Sequence, residues 1–284
     1  MDRKNNMICA FHLLMLLCCV MLFIGAKREV FASSGFVTTL GRDKTKYTKY
    51  DITNDGKKDI IQLKKLGKEA GWYNYFKVYI NEECALSIKE NFYDTDVQYI
   101  QLSNGKAYLF IHLVGDDDVG PNDLYMYKKG KLKKVVDLIK PISGIMGYHS
   151  GAEIRSVKGN KVYVDMESIS YGLAYMKYEA IYNYKAGKLV LQAKKHKILG
   201  YSAYPLNDIG IHTLTSTKAI QLYKSAQLKQ KSIKLKTGTK LKVKMCYISD
   251  KKISFYVETL SGKKGWFRSP KDTTKMFKET MYAG

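Results

Sequence analysis

Tyr125–Val136 reads Y-M-Y-K-K-G-K-L-K-K-V-V, two runs of apolar and lysine residues on either side of Lys129-Gly130. Tyr, Val and Met beside Lys suit a strand with one buried and one solvated face, and glycine between two such runs permits the positive φ of a tight hairpin. The stretch predicts a β-hairpin. Tyr182–Ala193, Y-N-Y-K-A-G-K-L-V-L-Q-A, repeats it around Gly187. Strand-like runs also occur at Lys58–Lys64, Phe76–Ile80, Gln98–Leu102, Ala107–Leu113 and Lys161–Met166. With 4 prolines in 284 residues and no long run of helical periodicity, the chain is expected to be all-β and antiparallel.

The turns recur. A first turn at Gly56 returns at Gly105 and Gly159, spaced by 49 and 54 residues, and each is followed by a second hairpin turn, at Asn81, Gly130 and Gly187. Each unit thus reads strand, turn, strand, long connection, strand, turn, strand. A four-stranded unit of about fifty residues resembles a propeller blade, although propellers typically carry about 4 to 8 blades. Residues 33–211 are therefore expected to form antiparallel four-stranded repeats, arranged as a propeller-like body, a barrel or a sandwich.

Residues 1–32 read as an export leader. Arg3 and Lys4 precede a 20-residue apolar run, Met7–Ala26, and Val30-Phe31-Ala32 supplies a small-residue cleavage site. The protein is expected to be secreted and wall-associated, with no stable membrane span after cleavage; the alternative is an anchor left uncleaved, since about 20 apolar residues cross a bilayer. Cys18 and Cys19 lie mid-run without the small-residue context of a lipid anchor. Cys84 and Cys246 remain after cleavage, which excludes a disulfide framework and leaves either two free thiols or one long-range bridge.

Charge divides the chain. Residues 212–284 carry 17 Lys and Arg against 4 Asp and Glu, net +13, and residues 33–211 carry 27 against 20, net +7. A basic surface of that density is drawn to polyanions with an attraction that salt weakens. Export makes cell-wall polymers or another anionic surface the expected partner, with a second surface protein as the alternative and nucleic acid excluded as the physiological one.

Asp51–Asp59, D-I-T-N-D-G-K-K-D, is the most specific chemical signal. It places carboxylates at positions 1, 5 and 9 of a glycine-containing loop between strands, a spacing that can wrap a hard cation seeking about six to eight oxygens. The loop resembles the calcium loops of integrin-type FG-GAP repeats. The resemblance implies a structural Ca2+ held by Asp51, Thr53, Asp55, the carbonyl of Lys57 and Asp59. Thr53 departs from the usual Asp or Asn, which predicts modest affinity. An EF-hand is disfavoured because position 12 is Gln62, where a bidentate Glu is required, and because the flanks are strands. A second acidic loop, Gly115–Asp123, fits no known cation cage and reads as a solvated loop.

Residues 217–269 resemble a bacterial SH3-like barrel. Ala219–Lys224 stands where such domains open, Lys234–Val243 matches their leucine-x-x-glycine hairpin, and Phe255-Tyr256-Val257 leads into Gly262-Lys263-Lys264-Gly265-Trp266-Phe267. Residues 212–284 are therefore expected to form a small SH3-like wall-attachment domain, with Tyr223, Lys263, Lys264 and Trp266 as candidate ligand contacts. The Asn-Val-Arg opening of that family is absent, and no Trp precedes Phe255. Leader, repeat and basic terminal module together resemble exported proteins of Gram-positive anaerobes that have no assigned activity.

Catalytic chemistry finds little footing. His112, His149, His196 and His212 show no metal-ligand spacing, and the Asp-Cys-Ser-Gly signature of wall cysteine peptidases is missing, Cys84 lying in N-E-E-C-A-L. Tyr171, Tyr175, Tyr178, Tyr182 and Tyr184 read as cross-strand packing, and Trp72 and Trp266 as core residues. The expected function is non-enzymatic surface binding; the alternative is a secreted hydrolase, carbohydrate-active or other, whose two carboxylates lie far apart in sequence.

Overall fold

The computed structural model describes residues 34–41, 45–116, 120–139, 150–202, 209–249, 252–270 and 275–280. The expected leader, residues 1–32, lies outside them. The described chain is all-β, as its alternation predicts, and its strand pairs are antiparallel. Among the described residues no helix is long and apolar enough to cross a membrane.

Strand β1 (Phe36–Leu40) precedes a four-stranded meander, β2 (Lys46–Tyr50), β3 (Asp59–Leu66), β4 (Tyr73–Ile80) and β5 (Glu83–Phe92). A second meander follows in β6 (Asp94–Gln101), β7 (Ala107–Val114), β8 (Asn122–Lys128) and β9 (Lys131–Asp137), with β1 added at its β6 edge. The third comprises β10 (Ser150–Lys158), β11 (Lys161–Ser170), β12 (Ala174–Lys185) and β13 (Lys188–Leu191). The repeating turns have the backbone their residues allow: Gly105, Gly130 and Gly187 have φ near +80°, and Asn81, one of the few side chains that tolerates this region, has φ 49°.

The third sheet does not stop there. β14 (Lys195–Ser202) pairs with β12, β15 (Ile209–Gly210) with β14, and β16 (Leu214–Thr215) with β19 (Lys240–Ser249). β17 (Ile220–Tyr223), β18 (Lys231–Leu235), β20 (Lys252–Thr259) and β21 (Lys264–Arg268) complete the path β19-β20-β21-β17-β18. Lys195, His196 and Lys197 of β14 pair with Tyr247, Cys246 and Met245 of β19, so one 12-stranded sheet runs across residue 212, where the charge balance changes. Among the described residues no sheet closes into a barrel.

The sheets stack in layers with the second meander in the middle. Along β7, Tyr108 and Phe110 enter a core shared with Ile154, Val164 and Tyr178 of the third sheet, and Leu109, Ile111 and Leu113 enter one shared with Ile61, Phe76 and Phe92 of the first. That explains the near-continuous apolar reading of Ala107–Leu113: a strand covered on both faces loses its polar alternation. Two buried amides join the middle sheet to the edge strand β10. Gln98 exchanges hydrogen bonds with Ile154, donating to its carbonyl at 3.2 Å and accepting from its amide at 3.1 Å, and Asn122 Oδ1 accepts from Ala152 N at 3.0 Å. They supply β10 with partners that a bare edge would lack.

Candidate metal centre

The Asp51–Asp59 loop joins β2 to β3 at the end of the first sheet. Its reversal needs two left-handed residues, Asn54 (φ 59°) and Gly56 (φ 87°), and the sequence N-D-G supplies residue types that adopt them. Asp59 begins β3 and is buried, 2 % exposed. Its Oδ2 accepts from the amides of Ile52 and Thr53 at 2.8 and 2.9 Å, and its Oδ1 accepts from Asn81 Nδ2 at 2.7 Å. Asp51 turns its carboxylate inward across the loop, accepting from Asp55 N at 3.2 Å and Gly56 N at 2.8 Å.

Between these carboxylates stands the Thr53 hydroxyl, 3.4 Å from Asp51 Oδ1 and 3.3 Å from Asp59 Oδ1. A hydroxyl has one proton to donate, and short O–H···O bonds lie at about 2.7 to 2.8 Å, so it can serve only one of the two oxygens and serves neither closely. Positions 1, 3 and 9 of the loop thus bring three oxygens together, the two carboxylate oxygens also accepting from Asp55 N and Asn81 Nδ2. Asp55 stands apart from that group, its Oδ1 accepting from Lys57 N at 2.8 Å on the exposed side of the loop. No set of three or more His, Cys, Asp or Glu side chains is placed to hold a metal among the described residues. Two carboxylates and the threonine form the convergent set.

Two residues that the sequence reading missed support the loop. Asn81, the second turn of the same unit, binds Asp59 and also accepts from Ile60 N at 2.8 Å. Tyr99, from β6 of the neighbouring sheet, donates its hydroxyl to the Asp51 carbonyl at 3.2 Å and stacks on Tyr50. Burial, and then the Asp51 charge, push the Tyr99 hydroxyl well above its ordinary pKa, so it stays a donor.

The C-terminal candidates fall into two groups. Tyr223 and Trp266 are register partners on β17 and β21, within a small cluster that holds Ala226 and Leu228, with Met245, Tyr247 and Tyr256 against it. Trp266 is 6 % exposed, a packing position as its sequence context suggests, and Lys195 Nζ lies 5.8 Å from its ring centroid. Lys263 and Lys264 are exposed at the β20–β21 turn. Lys264 pairs with Glu258 at 3.0 Å, and that carboxylate raises its pKa; Lys263 offers its charge at the turn.

Other candidates take structural positions. Tyr178 and Tyr182 are core residues with Tyr184 packed against them, and Cys84 and Cys246 are free. In the second acidic loop Asp123 is buried, bonded to Tyr125 and Lys134, and burial raises its pKa; Asn122 is buried against Ala152. Residues 117–119 of that loop lie outside the described residues. Asp165, also raised by burial, sits among Arg155 and Lys177 on the third sheet. Trp72, read as core, is only half-buried and borders an open cleft. No family model, curated protein or solved structure matches the chain.

Proposed function

We propose that this chain is an exported, non-enzymatic binding protein of the cell surface or wall, stabilised by calcium in its first repeat. The observation that carries the calcium reading is the convergence of three oxygens from positions 1, 3 and 9, the Thr53 hydroxyl lying 3.4 Å from Asp51 Oδ1 and 3.3 Å from Asp59 Oδ1. A hard cation would take such oxygens as ligands. Asp51, Thr53, Asp55, the Lys57 carbonyl and Asp59 would hold it, with Asp55 turning inward from its bond to Lys57 N.

The finer architecture belongs to the same proposal. Three successive four-stranded antiparallel meanders support the reading of propeller-like repeats, and the proposed SH3-like module would comprise the antiparallel strands β17–β21. The role proposed for residues 212–284 is attachment to anionic wall polymers, supported by their net charge of +13. Attachment is tested with the full mature chain on purified wall sacculi. Retention should require the anionic polymers and fall steeply as salt rises from low to physiological levels. Paired Lys263→Gln and Lys264→Gln changes should weaken it, the first more than the second because Lys264 already has Glu258 as a partner. Equal retention on stripped sacculi at high salt would contradict a charge-led mechanism, and retention on neither preparation would refute attachment.

A further inference from the structure

A cleft of about 620 Å³ opens between the β3–β4 hairpin tip, the end of β5 and the chain leaving β7. Its volume lies in the range of small-ligand sites. The charged residues that line it are acidic, Glu69, Glu90 and Asp116, in a chain of formal charge +22, and the nearest cations described are Lys65 and Lys68 at its Tyr73 ring. The carboxylates do not converge as a metal cage. Between them stand the aromatic side chains Trp72 and Tyr73.

Those rings are held in place. Trp72 meets Tyr93 edge-on, with centroids 5.3 Å apart, and Tyr73 stacks on Phe92 at 5.5 Å. The backbone that presents them is tightly folded: Glu69 and Trp72 exchange both backbone hydrogen bonds at 2.8 Å, around Ala70 and Gly71 at positive φ. The Tyr73 ring already attracts cations from its own chain. Lys65 Nζ and Lys68 Nζ each lie 5.7 Å from its centroid; Lys65 is tied to Asp94 at 3.2 Å, whereas Lys68 is exposed on a flexible stem.

We infer that this cleft binds an organic cation, the alkylammonium group of a small ligand, which lies against Trp72 and Tyr73 with Glu69, Glu90 and Asp116 around it. Aromatic faces and dispersed carboxylates favour a weakly hydrated cation over a compact one. A neutral sugar can donate hydroxyl hydrogen bonds to the three acids but draws no net charge attraction from them, and an anion is repelled by them. Lys68 is the internal competitor, and a ligand displaces its ammonium from the Tyr73 face.

The site stands independently of calcium and of wall attachment, so the test is run on the mature chain with calcium and again with chelator. Choline chloride is titrated calorimetrically against matched sodium chloride, with N-acetylglucosamine as the neutral comparison. Saturable binding of choline alone is expected at millimolar levels. A double Glu90→Gln, Asp116→Asn variant, changed only at exposed positions, should bind about tenfold more weakly, and Lys68→Met should bind more tightly. Heats that sodium chloride reproduces, equal binding of N-acetylglucosamine, or choline affinity indifferent to both variants would each overturn the inference.

Discussion

Asn81 Nδ2 donates to Asp59 Oδ1 at 2.7 Å, tying the second hairpin turn of the first repeat to the last carboxylate of its loop. The two turns are 22 residues apart in sequence and adjacent in space because β3 and β4 pair from Ile61 with Ile80 to Leu66 with Tyr75. Asn81→Ala removes one donor from a buried carboxylate and leaves Ile60 N without its side-chain acceptor. Chemical denaturation in chelator should show a loss of about 1 to 3 kcal/mol. An unchanged midpoint would mean that water replaces the amide at no cost.

Thr53→Asp separates the apo and calcium-bound states. A third carboxylate beside Asp51 and Asp59 repels both when no cation is present, so the variant should melt below the wild type in chelator. With calcium the added charge becomes a ligand, and affinity should rise about tenfold or more. A variant melting lower in both conditions would show that the threonine packs and does not ligate.

Acid should weaken the protein through His196. Its Nδ1–H donates to the Glu179 carbonyl at 3.2 Å within the β12–β14–β19 junction, and burial pushes its pKa down to about 4. The unfolded chain takes up this proton near its ordinary pKa of about 6.5 and the folded chain only near 4, so the contribution is complete above about pH 6.5. Stability is lost as pH falls from there to about 4, by about 3 kcal/mol in all. Asp123 and Asp165, whose folded pKa values are raised, act oppositely at the acid end of that window, gaining stability as pH falls through them. His196→Asn, which keeps a donor for Glu179, should flatten the slope between pH 6.5 and 5. A slope that survives the change would move its source elsewhere.

The two thiols should react at different rates. Cys84 is half-buried near the surface of the first sheet, whereas Cys246 is fully buried on β19 and burial raises its pKa well above that of an ordinary thiol. A chromogenic disulfide reagent should label Cys84 in the native mature chain and Cys246 only after denaturant is added. Absence of titratable thiol after denaturation without reductant would indicate a bridge.

Local chemistry was legible and long-range pairing was not. The hairpin turns and the strand runs follow from glycine, asparagine and alternating residues that signal within a few positions. The Asp51–Asp59 loop was legible for the same reason. Tyr178 and Tyr182, by contrast, read as cross-strand packing, lie in the core between sheets. The pairing of Lys195–Lys197 with Met245–Tyr247 leaves no local mark, since residues about fifty apart meet through backbone groups that every sequence shares. Asn81 read as a turn residue because nothing in its neighbourhood points back to Asp59. Trp72 read as core because the residues beside it, Tyr93 at its ring edge and Glu90 and Asp116 in the same cleft, come from later in the chain.

The most direct measurement is a calcium titration of the metal-stripped mature chain, followed by calorimetric melts with calcium, with magnesium and with chelator. A cation that binds only the folded loop raises the midpoint by mass action, and magnesium, which holds its waters and demands octahedral geometry, should raise it little. The account predicts one saturable calcium site, a higher midpoint with calcium, and loss of both in Asp55→Ala. A midpoint indifferent to millimolar calcium, with no saturable heat, would contradict it.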